Sequence, residues 1–346
     1  MQMTFRWFGD ADEIPLAYIR QIPGVRGVVS ALYDVPVGEV WSGARIKRLA
    51  ETTGDAGLPL TVIESIPVHE DIKLGRPDIE RLLDNYAESV RNMGEAGISV
   101  LCYNFMPVFD WIRTDLDMQL DDGSTALAYD DDALSRIDLS RGTGDLPGWA
   151  TAYSADDLAS LLAAYGEVSE TMLWENLQRF LEHVVPVAES SGVRMALHPD
   201  DPPWSIFGLP RIITSGAALE RVVGLVDSPS NGITFCTGSL GADPSNDLPS
   251  IARKIGAIGR IHFAHCRNVK TTGKRSFHEA PHPAEYGDVD MLGVLRALRE
   301  TGFDGPMRSD HGRMIWGEHG RPGYGLYDRA LGATYLHGAW SALSSQ

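Results

Sequence analysis

Short apolar runs alternate along the chain with longer stretches whose apolar residues recur at helical spacing. Eight runs read as strands: TFRWF (4–8), VRGVVSAL (25–32), LTVIESI (60–66), SVLCYNF (99–105), RMALH (194–198), GITFC (232–236), RIHFAH (260–265) and PMRSD (306–310). Helical patterns separate most of them. GARIKRLAETTG ends in glycine after a basic stretch, and IERLLDNYAESVRNMGEAG has apolar residues near helical spacing. The clearest helix is SETMLWENLQRFLEHVVPVAESSG, with Ser169 as its expected cap and Leu173, Leu177, Phe180, Leu181 and Val184 on one stripe. MLGVLRALRETG supplies a helix before the last run. Such alternation over 346 residues predicts an α/β fold, a (β/α)8 TIM barrel, with a doubly wound open sheet as the alternative. The common nucleotide signatures, GxGxxG after the first strand and GxxxxGK[ST], do not occur.

Two stretches exceed a simple barrel. The expectation is one catalytic barrel domain spanning 1–346, with an insertion at about 106–168 between the fourth and fifth strands. A second long loop, 267–288, follows the seventh strand. Both belong on the C-terminal face of a barrel, where long loops build the walls of an active site.

Charge narrows the partners. A net charge of −17, spread along the chain, argues against nucleic acid or an anionic membrane, because either needs a basic face. No apolar run approaches the length of a membrane span, and MQMTFRWFGD lacks the apolar core of a signal peptide. Three cysteines cannot form a disulfide framework, so a cytoplasmic protein is expected.

Four residues with metal-ligand chemistry, His198, Cys236, His265 and Asp310, lie at the ends of four consecutive strand-like runs. Any one of them alone reads more readily as a structural residue; their joint placement points to strand ends converging on one ion. In RMALH, Met195 and Leu197 suit packing against outer helices, which turns Ala196 and His198 inward; in GITFC the same rule turns Thr234 and Cys236 inward. In RIHFAH, His265 shares parity with Ile261 and Phe263, while His262 and Cys266 take the other face. Parity leaves open whether His265 or a neighbour is the ligand. Nitrogen, sulfur and carboxylate donors suit a borderline transition ion such as Mn, Fe, Co, Ni or Zn better than calcium. Beside Asp310, His311 can exchange a proton near neutral pH, and Tyr324 in GRPGYG can bring a phenol over the pocket. Arg113, Arg267, Lys270, Lys274, Arg275, Arg308 and Arg313 concentrate in the proposed loops, where they would suit a carboxylated substrate. Arg113, Arg267, His278 and Arg313 are the expected substrate contacts, although loop hydrogen bonding equally accounts for His278 and for His282.

Nearly end to end, the chain resembles the mannonate dehydratase family of the UxuA type. The resemblance rests on TFRWFG, YIRQIPGV, ALYDVPVGEVW, YNFMPVFDWIRTDL, ALHPDDPP, FCTGSLG, HFAHCRNVK, SFHEAPH, DHGRMIWGEHGRPGYG and LYDRALGATYLHG. It implies a xylose-isomerase-like (β/α)8 barrel, a hydro-lyase of glucuronate catabolism that dehydrates D-mannonate to 2-keto-3-deoxy-D-gluconate. The implied cofactor is a divalent ion, Mn²⁺ first, with Fe²⁺, Co²⁺, Ni²⁺ and Mg²⁺ as alternatives. The partner is a small anionic sugar acid, and a homodimer is compatible with it. By motif, the ligands fall on His198, Cys236, His265 and Asp310, and the catalytic pair on His311 and Tyr324, with Tyr324 expected near C2 and His311 as the acid. A metal-dependent sugar isomerase or epimerase, or a dehydratase of another aldonic acid, is the alternative activity. The chain departs from the family pattern at Ser309, where proline is usual, and at His337, where asparagine is frequent. Serine at 309 would leave the backbone before Asp310 freer.

Overall fold

The computed structural model describes residues 1–139 and 153–344. Among the described residues twelve strands form, in chain order: β1 (Gln2–Arg6), β2 (Val25–Ser30), β3 (Leu60–Glu64), β4 (Val100–Tyr103), β5 (Asp115–Gln119), β6 (Thr125–Asp130), β7 (Arg194–Leu197), β8 (Asn231–Cys236), β9 (Ile261–Cys266), β10 (Asn268–Gly273), β11 (Ser276–Ala280) and β12 (Pro306–Ser309). Eight of them close a parallel barrel in the order β1-β12-β9-β8-β7-β4-β3-β2, and they correspond to the eight predicted runs, with ends displaced by one or two residues. The main helices between them turn an apolar stripe onto the barrel. In Glu170–Ser190, Leu173, Leu177, Phe180, Leu181 and Val184 are buried as expected, and the Ser169 side chain caps the first turn by accepting from Met172 N. Among the described residues no helix is long and apolar enough to cross a membrane.

Strand alternation sorts the barrel's side chains into two cores. Val29, Val62, Val100, Cys102, Ala196 and Phe263 pack together as an inner plug. Met195, Leu197, Ile233, Phe235 and Met307 instead join the large shell shared with the helices. Fully burying such a side chain contributes about 1.5–3 kcal/mol, so the alternation fixes the register of each strand firmly. It also resolves RIHFAH. Phe263 is an inward residue, opposite Thr234, and His265 two positions on is opposite Cys236. His262 faces the other way, with Nδ1 2.7 Å from Met195 O.

Both long loops build a second sheet that the sequence pattern did not predict. Its order is β10-β11-β6-β5, all antiparallel, so strands from the insertion and from the 267–288 loop pair across the barrel mouth. Tyr129, Trp204 and Phe277 pack beneath it, the Tyr129 and Phe277 rings stacked at 5.8 Å. The loop after β12 joins through a bridge between Thr125 and Met314. Residues 140–152 of the expected insertion lie outside the described residues. Ser309 leaves no slack: it is buried, and its hydroxyl donates to Arg329 O at 2.8 Å, so the backbone before Asp310 is tied to the final long helix, Tyr327–Leu343.

Candidate metal and proton-transfer site

Parallel strands carry the four expected ligands to the C-terminal mouth of the barrel. His198 follows β7, Cys236 and His265 belong to β8 and β9, and Asp310 follows β12. Donor atoms of His198, Cys236 and His265 all lie within 4.8 Å of one another. His198 Nε2 is 3.1 Å from His265 Nδ1, and Asp310 Oδ2 is 3.7 Å from Cys236 Sγ and 3.8 Å from His265 Nδ1. Ligands about 2.0–2.3 Å from a shared ion stand this far apart. The set therefore fits a divalent transition ion. His198 is prepared for that role: Nδ1 lies 2.7 Å from Pro199 O, which fixes its proton there and leaves Nε2 facing the cluster. Ser239 steadies the thiol from behind, its hydroxyl 3.1 Å from Cys236 Sγ.

The electrostatics collect negative charge at this point. Burial opposes ionisation of Cys236, but Arg267 and His198 override it and push the thiol well below its usual range. Asp310 is likewise held far below the usual carboxylate range, burial being outweighed by Arg308 and the neighbouring histidines. His198 responds in the opposite sense: burial disfavours its charge, yet Cys236, Asp310 and Glu64 raise it to about 9. A cation would compete for the same position.

His311 and Tyr324 meet beside Asp310. His311 Nε2 is 2.9 Å from the Tyr324 hydroxyl, and Nδ1 is 3.2 Å from Glu279 Oε1. An ionised carboxylate only accepts, so Nδ1 carries the proton and Nε2 accepts from the phenol. Burial drives the Tyr324 phenol upward, so it is protonated at neutral pH. Phe8 supports it edge-on at 4.8 Å, and the Trp111 ring lies 4.9 Å from the His311 ring. A cavity of about 730 Å³ opens over both groups and reaches His198 and Asp310.

The profile of the D-mannonate dehydratase (UxuA) family matches residues 1–346. The chain belongs to the D-mannonate dehydratase family. It is 56% identical over 345 residues to mannonate dehydratase 2 of Halalkalibacterium halodurans, covering 100% of each chain. It is 55% identical over 343 residues to a mannonate dehydratase of Streptococcus agalactiae, covering 99% of each. A crystal structure of mannonate dehydratase from Streptococcus suis serotype 2 superposes with a TM-score of 0.93 at 48% identity, over 100% of this chain and 95% of that one. An L-ribulose 3-epimerase matches at a TM-score of 0.56 and 13% identity, over 100% of this chain and 96% of that one, a likeness of fold alone.

In this mannonate dehydratase family member the expected basic contacts lie elsewhere. Arg113 and Arg267 are fully buried beneath the site, and neither lines the cavity. Arg113 grips Asp201 and Glu279; Arg267 binds Asp201, Glu279 and Asp310. Arg313 pairs with Asp328 and Asp122, and His278 turns Nδ1 to Glu279 O. The cations that do line the cavity are Arg6, Lys73, Arg76 and Arg308. Arg6 and Glu64 were missed although both end barrel strands, as the proposed ligands do; the parity rule applied to TFRWF and LTVIE would have found them. Glu64 receives Arg6 at 3.1 Å and Arg308 at 3.0 Å, and stands 3.6 Å from His265 Nε2.

Cys236→Ser should weaken divalent-ion binding on the order of 10- to 100-fold, because a hydroxyl does not ionise as the thiol does. Metal titration of the purified variant checks this, and affinity equal to wild type would remove Cys236 from the ligand set.

Proposed function

We propose that this chain dehydrates D-mannonate to 2-keto-3-deoxy-D-gluconate in the cytoplasm, with a divalent ion held by His198, Cys236, His265 and Asp310. The hydrogen bond between His311 and Tyr324 carries the reading, because it sets a proton-transfer pair beside the donor cluster within one cavity. Mn²⁺ is the ion we favour, and the thiol argues against Mg²⁺. When bound, such an ion supplies Lewis-acid stabilisation of charge on substrate oxygens. The free thiols of Cys102, Cys236 and Cys266 agree with a reducing compartment.

Elimination needs one group to take the proton from C2, beside the carboxylate, and another to protonate the departing C3 hydroxyl. Tyr324 faces C2 in this scheme. Its oxygen takes the C2 proton as its own proton passes to His311 Nε2. The imidazolium so formed is stabilised by Glu279 at Nδ1, 3.2 Å away, and by Asp310, 4.0 Å from Nε2. His311 then gives a proton to the C3 hydroxyl, which leaves as water. Tyr324 ends protonated and His311 neutral, and the enol tautomerises to the keto acid.

An assay of a small panel of aldonic acids with Mn²⁺, followed by product identification, tests the proposal. D-Mannonate should yield a 2-keto-3-deoxy acid that absorbs after semicarbazide treatment. Isomerised or epimerised sugar in its place would overturn the dehydratase reading, and elimination only from another aldonate would keep the mechanism and discard the substrate.

A further inference from the structure

One wall of the cavity is the segment Met106–Trp111, and it is held with unusual completeness for a loop. Met106 O accepts from the buried Lys73 Nζ at 2.7 Å, and Val108 N donates to Glu70 Oε2 at 3.2 Å. Behind the wall the buried Arg211 donates through Nη2 to Phe109 O at 2.9 Å and to Asp110 O at 3.2 Å. Val108 is fixed at φ +59°, a conformation that a β-branched residue adopts only when its surroundings impose it. The next side chain after Asp110, Trp111, packs against the His311 ring.

Asp110 lines the cavity at this point, yet its carboxyl makes no hydrogen bond or ion pair among the described residues. Burial pushes its pKa upward against the pull of His198, Lys73 and Arg211. Asp110 is half-buried, and a rigid backbone holds its carboxyl against the cavity.

We propose that Asp110 is a specificity-determining residue that accepts a hydrogen bond from a hydroxyl on the tail of the sugar acid, beyond the reacting C3. The inference rests on the dehydratase reading, which puts C2 and C3 at Tyr324 and His311. Asp110 lines the same cavity, on the wall whose Trp111 ring meets His311, so the remaining carbons of a hexonate would run along that wall. An ionised carboxylate accepts from hydroxyl groups and repels a second carboxylate. Asp110 thus reads the polyol end and excludes the reversed orientation, in which C1 would face it.

D-Mannonate and its 4-deoxy, 5-deoxy and 6-deoxy analogues test the idea, because each analogue lacks one tail hydroxyl. Asp110→Ala should lower kcat/KM for D-mannonate by about 10- to 100-fold, the worth of a hydrogen bond to a charged group. One analogue should lose far less, because the partner of Asp110 is already missing from it. Asp110→Asn, which keeps an acceptor oxygen, should fall between wild type and Asp110→Ala, and it decides the matter if the alanine variant does not fold. Equal losses from all four compounds, or no loss from any, would overturn the proposal. The same comparison by calorimetry with Mn²⁺-loaded protein in the His311→Asn background needs no turnover. If wild type fails to dehydrate D-mannonate, the dehydratase reading falls while these affinities still judge Asp110. Absence of any aldonate binding would overturn both.

Discussion

His311→Asn is expected to lower kcat for D-mannonate by about 10²- to 10⁴-fold while bound Mn²⁺ per chain stays at the wild-type level. Asparagine can occupy the space between Glu279 and Tyr324 but cannot relay a proton between them. Tyr324→Phe should cost a similar factor for a complementary reason. It keeps the edge-on contact with Phe8 and deletes only the oxygen that hydrogen-bonds His311. In the proposed scheme the two groups form one relay, so the double variant should be little worse than the poorer single variant. Steady-state kinetics with metal analysis on the same preparations measures this. Near-normal turnover in either single variant would remove that residue from the mechanism, and multiplied losses in the double would break the relay.

Arg267→Met should destabilise the protein by about 3–5 kcal/mol, the usual consequence of stripping the partner from buried charge. Arg267 is fully buried and touches three carboxylates, those of Asp201, Glu279 and Asp310. Burial alone would raise Asp201, but Arg113 and Arg267 hold it down to about 2; the same two residues hold Glu279 below the carboxylate range. A depressed pKa adds stability that is complete above the unfolded value, near 4, and is lost as pH falls through the folded value. Without Arg267 both folded values rise, so the acid limb of unfolding should move to higher pH. Chemical denaturation across pH 2 to 8 measures both effects. An unchanged midpoint at neutral pH would mean that Arg113 alone satisfies the network.

The barrel was legible because each of its strands is a short apolar run bounded by helical periodicity. The second sheet was not. Its outermost strands, DLDMQ and NVKTTG, are polar, with β5 exposing alternate residues, and the two hairpins are joined only by the pairing of β6 with β11, far apart along the chain. The same distance hid the fate of the arginines. Arg113 meets Asp201 88 residues away and Glu279 166 residues away, so a basic group read as a rim contact is an internal strut. Parity left His265 open for a different reason. Phe263 is large and apolar and by its type suits a helix-facing shell, whereas it plugs the barrel interior and carries His265 inward with it. Asp110 gave no signal at all, since nothing in FDWIR says which of its side chains is left unpartnered.

The placement of β12 bears on how the chain is made. It lies at Pro306–Ser309 and pairs with both β1 and β9. Until it leaves the ribosome, those two strands are the open edges of an unclosed sheet. At translation rates of about 5–20 residues per second, the stretch from Cys266 to Asp310 takes a few seconds to appear. For that interval the nascent chain shows two apolar edges, QMTFR and IHFAHC, to any neighbour with a strand to add. Asp310, His311 and Tyr324 emerge directly behind β12. By the proposed assignment the site is thus completed just after the edges close, and the interval before closure is when chaperone protection matters most.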